Sequence, residues 1–291
     1  MKRRKPRKQI LCEPVGECIY CGSHAGDLTD EHVIPAGLGG TWVLPSASCS
    51  ACAIVTSRFE GQVLRGVLSA PRAALDMFTR RPMQRPETLP LSVNGVEMQV
   101  ARDAYPTNLS LPEFDQPAYV LGIIRPPAVY LRGLALHVDG HRLRRIALGA
   151  AEESVGGNSA ARTVAVSWAD AYGRNEHTAF LRLLLKIGYC TLVGTEGIRA
   201  VDSRFARSLI LGHNDQISHF VGTVPMDYPA ALLPEAVFAE ALKTMNEHEE
   251  EWHRVTRDRS RGVWQCYIQL FRPFFAYSPP IYQVVVGAAS P

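Results

Sequence analysis

Two CxxC pairs, Cys18 with Cys21 and Cys49 with Cys52, bracket an acid-acid-histidine triplet, Asp30-Glu31-His32. Four thiolates from two such knuckles suit a closed, tetrahedral zinc site, which is structural because no ligand position stays open. Gly22 fits the tight turn that follows Cys21, and the backbone amides of a knuckle point back at its sulfurs. A carboxylate directly before a histidine, with the glycine-rich Leu38-Gly39-Gly40 after it, offers a metal ligand beside a general base. The stretch from Cys18 to Glu60 therefore concentrates the chemistry of the chain.

The order of these features is more specific than any one of them. CxxC, then Glu31-His32-Val33-Ile34-Pro35, then Leu38-Gly39-Gly40, then CxxC and a helix resembles the HNH endonucleases. The resemblance covers a small part of the chain. It implies a ββα-metal finger stapled by zinc on Cys18, Cys21, Cys49 and Cys52, and a phosphodiester hydrolase acting on DNA in preference to RNA. It further implies His32 as the base and Glu31 as first ligand of a catalytic divalent ion, Mg²⁺ or another. Restriction or phage defence is the setting in which such proteins are common.

One position departs from the pattern. The residue after the last cysteine is commonly Asn in the family and helps to hold the catalytic ion, whereas here it is Ala53. If a helix starts there, Thr56, Ser57 and Glu60 follow at helical spacing, so Glu60 or Thr56 could supply the missing oxygen. Asp30 is a further candidate ligand, although neighbouring residues of a strand point to opposite faces. The competing expectation is a catalytically inactive zinc finger that binds nucleic acid, and a third is a zinc-stapled protein-interaction module.

Positioning these groups requires strands over 27–33 and 41–44, a loop over 36–40, and a helix from Cys52 to about Leu68. Arg58 and Arg65 open a stretch to Arg85 in which basic residues outnumber acidic ones, a candidate phosphate-contacting face. Pro82, Pro86 and Pro90 then mark a connection. The expected organisation is a basic disordered tail over 1–17, entering structure around Ile10-Leu11 or at the first knuckle, a nuclease-like unit over 18–88, and an α+β domain of unread role over 89–291.

In that last part, strands are expected at 89–93, 96–101, 118–124, 128–138, 141–148, 162–167, 262–271 and 281–286. His137 and His141 flank a turn and are read as surface residues. Helices are expected over 175–193, with Phe180, Leu183, Leu184, Ile187 and Cys190 on a buried stripe, and over 234–250. The fold class is thus α+β.

Composition limits the alternatives. The 291 residues are 46% hydrophobic, enough for a substantial core, and the formal charge is only +3. Lys2, Arg3, Arg4, Lys5, Arg7 and Lys8 account for that excess, so the positive charge is a tail suited to salt-sensitive attraction to phosphate. Four of the seven cysteines sit in the knuckles, which argues against a secreted disulfide framework. The apolar stretch 179–193 carries Arg182 and Lys186 and reads as too short to span a bilayer. A cytoplasmic protein without a membrane segment is expected, and a homodimer would suit double-strand cleavage.

Overall fold

In the computed structural model, residues 8–77, 79, 85–93, 96–102, 162–214, 216–224, 253–260, 262–271 and 281–290 are described. The fold class expected from sequence holds: helices and several sheets, with the four cysteines near the N-terminus.

Near the N-terminus, β1 (Ile10–Leu11), β2 (Thr29–His32) and β3 (Trp42–Ser48) make a sheet in the order β1-β3-β2. β2 runs antiparallel to β3, setting Glu31 opposite Leu44 and His32 opposite Val43. β1 lies parallel to β3, with Ile10 beside Trp42 and Leu11 beside Val43, the first of the two expected points of entry into structure. Between β2 and β3 a 3₁₀ turn over Ala36–Leu38 ends at Gly39 with φ 84°. Gly40 is fixed by space: a Cβ there would lie 1.9 Å from the Ile34 carbonyl oxygen. Helix α1 (Ser50–Arg65) leaves β3 directly after Cys49, and a short α2 (Ser69–Ala74) follows. β2 is shorter than predicted and β3 longer, because strand ends depend on pairing as well as composition.

Next comes the hairpin β4 (Thr88–Val93) and β5 (Val96–Ala101), in register from Thr88 with Ala101 to Val93 with Val96. The predicted strands over 118–124, 128–138 and 141–148, with His137 and His141, and the helix over 234–250, lie outside the described residues.

Helix α3 (Arg162–Glu196) is much longer than the 175–193 predicted, and it replaces the strand predicted over 162–167. Thr163, Val164 and Val166 favour strand locally, but residues adjoining a packed helix add one hydrogen bond each to an existing nucleus, and that overrides a weak propensity. The part from His177 to Glu196 is long and apolar enough to cross a membrane by length and composition, contrary to the sequence expectation. In this protein 78% of the most apolar 18-residue window of that stretch is buried inside the fold.

The remaining elements are β6 (Val201–Asp202), α4 (Arg204–Leu211), β7 (Val221–Val224), β8 (His253–Ser260), β9 (Val263–Leu270) and β10 (Ile281–Ala289). The strands form an antiparallel sheet, β6-β10-β9-β8, with β7 also on β10. β9 and β10 match the predicted strands; β6, β7, β8 and α4 were not anticipated. α3 packs closely on this sheet, since a Cβ on Gly188 would lie 3.2 Å from Val284 Cγ1 and 3.3 Å from Cys266 Cβ. Its other side meets the N-terminal elements. Tyr20, Leu38 and Phe59 therefore share one hydrophobic cluster with Leu183, Ile187, Cys266 and Val284, on both sides of the expected boundary at 88.

Candidate functional site

The first knuckle forms because its turn closes on itself: the Gly22 amide donates to the Cys18 carbonyl at 2.8 Å, and Gly22 takes φ 74°. The second forms where β3 passes into α1, with Cys49 extended and Cys52 in the first helical turn. The ligand atoms of Cys18, Cys21, Cys49 and Cys52 all lie within 4.8 Å of one another. Cys21 Sγ and Cys49 Sγ are 3.7 Å apart, too far for a disulfide, and tetrahedral Zn–S bonds of about 2.3 Å would space sulfurs at about 3.8 Å. Burial pushes the Cys18 thiol up, but the backbone amides of Cys49, Cys21 and Tyr20 outweigh this and bring it to about 7. The four cysteines fit a metal ion such as zinc, with Cys18 and Cys52 on the buried side and Cys21 on the exposed side.

The acid-histidine triplet is arranged differently. Alternation along β2 leaves Asp30 exposed and turns Glu31 inward, where it is 7% exposed. Opposite it stands Lys186 of α3, wholly buried. The Lys186 ammonium lies 2.8 Å from Glu31 Oε1 and 2.8 Å from Glu60 Oε1, and it also donates to the His32 carbonyl. The contact to Glu60 is an ion pair off the line of a hydrogen bond. Burial alone would pull the ammonium's pKa down, but Glu31 and Glu60 reverse this and hold it well above the usual lysine value. Burial pushes the Glu60 carboxyl up, against the opposing pull of Lys186.

His32 is half-buried, and its Nδ1 is shut from solvent with no hydrogen-bond partner among the described residues. Burial first, and the Lys186 charge second, hold its pKa below the ordinary histidine value despite Glu31 and Asp30. The imidazole is therefore neutral at pH 7 and able to accept a proton or bind an electrophile.

The other predicted ligands are engaged elsewhere. Asp30 Oδ1 accepts the Ser46 amide at 3.2 Å, and Thr56 Oγ1 donates to the Ala53 carbonyl within α1 at 3.2 Å. Among the described residues, the four cysteines are the set of three or more His, Cys, Asp or Glu side chains close enough to hold a metal ion. Asp30, Glu31, Glu60 and Thr56 thus do not fit a catalytic divalent ion: two are spanned by an ammonium and two are turned to backbone groups. Arg58 and Arg65 lie on the solvent face of α1, while Cys52, Thr56, Phe59 and Val63 form its buried face.

Sequence reading missed what surrounds these groups. Lys186, Tyr189 and Cys190 recur at helical spacing, so one face of α3 presents all three to the N-terminal elements. Tyr189 OH donates to the Ile19 carbonyl inside the first knuckle at 2.5 Å, and receives bonds from Ser203 Oγ at 3.3 Å and Arg207 Nε at 3.0 Å. Tyr20 OH meets Cys190 Sγ at 3.6 Å. The glycine loop is clamped in the same way. Arg72 Nε donates to the Gly37 carbonyl at 2.7 Å, and His253 Nε2 bonds the Leu38 carbonyl at 2.7 Å while its Nδ1 receives the Phe271 amide. A lysine inside the apolar run Leu183-Leu184-Leu185-Lys186-Ile187 was the available signal, because a cation there must be paired when the helix is buried.

Against known proteins, the chain matches no family model, no curated protein and no solved structure.

Proposed function

We propose that the chain is an HNH-type endonuclease that hydrolyses phosphodiester bonds, in DNA before RNA, with His32 taking the proton from the attacking water. The observation that carries this reading is His32 itself: a neutral imidazole at the end of β2, with a buried ring nitrogen that has no partner among the described residues. Native structures leave few buried polar atoms unpaired, and on a histidine beside acidic groups a ligand or reactant is one way to complete such an atom. The order β2, β3, α1 beside a four-cysteine site supports the same reading, being the strand-strand-helix arrangement that the resemblance implies. Zinc on those cysteines supplies folding and no chemistry. Because the acidic residues do not fit a catalytic divalent ion, no step is assigned to one. Exposed Arg58 and Arg65 offer guanidinium forks to the phosphate backbone. Restriction or phage defence in the cytoplasm, with a dimer cutting both strands, completes the proposal.

A second reading is favoured by one specific observation. Glu31, which the resemblance would use for the catalytic ion, and Glu60, expected by helical spacing to replace the family's Asn, are spanned by Lys186, and Ala53 offers no side-chain oxygen. A zinc finger that binds nucleic acid without cutting it fits these facts. The two readings separate in a plasmid assay at low salt with purified protein and His32→Ala, in EDTA, Mg²⁺, Mn²⁺ or Ni²⁺. Nicking by the parent protein that disappears in His32→Ala supports the nuclease. Retarded, uncut DNA with both proteins supports binding alone.

A further inference from the structure

We infer that the resident cation between Glu31 and Glu60 is the Lys186 ammonium, and that these carboxylates bind no divalent ion while Lys186 is present. Three observations carry this. The ammonium is within 2.8 Å of an oxygen of each carboxylate, the distance of a direct ion pair. It is fully buried, so it has no alternative partner in solvent, and swinging it away would strand a bare charge in the core. It also bonds the His32 carbonyl, a third partner that ties it to the backbone of β2. A divalent ion entering there would meet a positive charge at contact distance, and it would have to expel that charge into an apolar helix face formed by Leu183, Ile187 and Cys190.

The same arrangement makes the carboxylate pair a latent ion site. Remove the ammonium, and the two carboxylates face each other with no counter-charge, so that a proton on one of them or a hard cation between their oxygens must offset the repulsion, and the cation wins where its concentration is high enough. Glu60 keeps 18% side-chain exposure although its Oε1 is shut from solvent, so the Glu60 side is the more open approach to the pair. This inference deepens the nuclease reading only by stating what the carboxylates hold, and its test does not depend on cleavage.

The test is Mn²⁺ titration of the zinc-loaded full chain, followed by the electron paramagnetic resonance of free Mn²⁺. Thiolates retain zinc against the harder Mn²⁺, so uptake reports oxygen sites. The parent protein is expected to show no Mn²⁺ site that depends on Glu31 or Glu60. Lys186→Met should gain one, at least about tenfold tighter than any binding to the parent, and Glu31→Gln on that background should remove it. Mn²⁺ uptake by the parent that Glu31→Gln or Glu60→Gln abolishes would overturn the inference. So would a folded Lys186→Met that binds no more Mn²⁺ than the parent. Should Lys186→Met fail to fold, the parent against Glu31→Gln and Glu60→Gln decides the matter alone.

Discussion

The two chemical centres of the N-terminal region are built in opposite ways. The cysteine site is made by its own neighbourhood: a turn closed by Gly22, a strand end and the first turn of α1 bring four sulfurs together. The acid-histidine site is finished from far away in the chain, by a lysine on α3 that spans the very carboxylates that local spacing assigns to a metal. Convergence of ligands can thus be legible in a spacing, whereas the state of a carboxylate depends on which charge the fold brings against it. The cysteine site is not wholly independent, however. Tyr189 reaches the carbonyl of Ile19 between Cys18 and Cys21, so α3 touches both centres with one face.

Loss of the metal tests the self-contained half of the comparison, with the largest effect. Metal analysis should find one zinc per chain, and Cys18→Ser should lose it together with protease resistance of the N-terminal elements. Apparent zinc binding in small modules is about 10–16 kcal/mol at neutral pH, well above the margin of a domain. A folded, metal-free protein would break the assignment.

Lys186 tests the other half. Lys186→Met should lower unfolding stability by about 3–5 kcal/mol, since it leaves two carboxylates buried without a counter-charge. Adding Glu31→Gln and Glu60→Gln should recover part of that loss, because the stranded charges go as well. Urea unfolding of the three proteins decides: equal destabilisation with and without the glutamine changes would mean that Lys186 acts by packing alone.

The link between the centres should be weaker. Tyr189→Phe removes the hydroxyl that joins Ile19, Ser203 and Arg207, and leaves the Ile19 carbonyl unpaired, at a cost of about 1–3 kcal/mol. If α3 supports the knuckle, the variant should also lose zinc faster to a chelator. An unchanged rate would leave the cysteine site independent.

The smallest effect is a pH dependence. The folded His32 value is depressed below its unfolded value, so its contribution to stability is present above the unfolded value, about 6.5, and is lost as pH falls through the folded one. Cleavage, if His32 is the base, should fall on the acid side at a pH below the usual imidazole value. NMR titration of the His32 ring should show the depressed value, and Lys186→Met should raise it, since the ammonium is the second cause of the shift. A titration unmoved by Lys186→Met would remove the charge coupling.

Much of the local structure was readable, for reasons that are themselves local. The CxxC spacing, Gly22 after a cysteine and the Leu38-Gly39-Gly40 loop each constrain a few neighbouring residues, and β4, β5, β9 and β10 carry clear apolar runs with turn signals. Strand alternation is enough to put Asp30 and Glu31 on opposite faces of β2. Residues 162–167 read as strand from their type and fold as helix, because β-branched residues speak for strand only when nothing longer claims them. Tyr189, Arg72 and His253 stayed invisible as site residues because each acts through a backbone carbonyl, which leaves no trace in residue type.

By itself, then, the amino-acid sequence determined the cysteine site, the acid-acid-histidine triplet and the α+β class. Only the tertiary structure decided that Glu31 and Glu60 meet an ammonium, that the glycine loop is clamped by Arg72 and His253, and that α3 lies between the N-terminal elements and the sheet. The physical reason is one of range. Turn closure and strand alternation are fixed by a few adjacent dihedrals, while the charge felt by a buried carboxylate is set by whichever side chain folding places within a few ångströms of it.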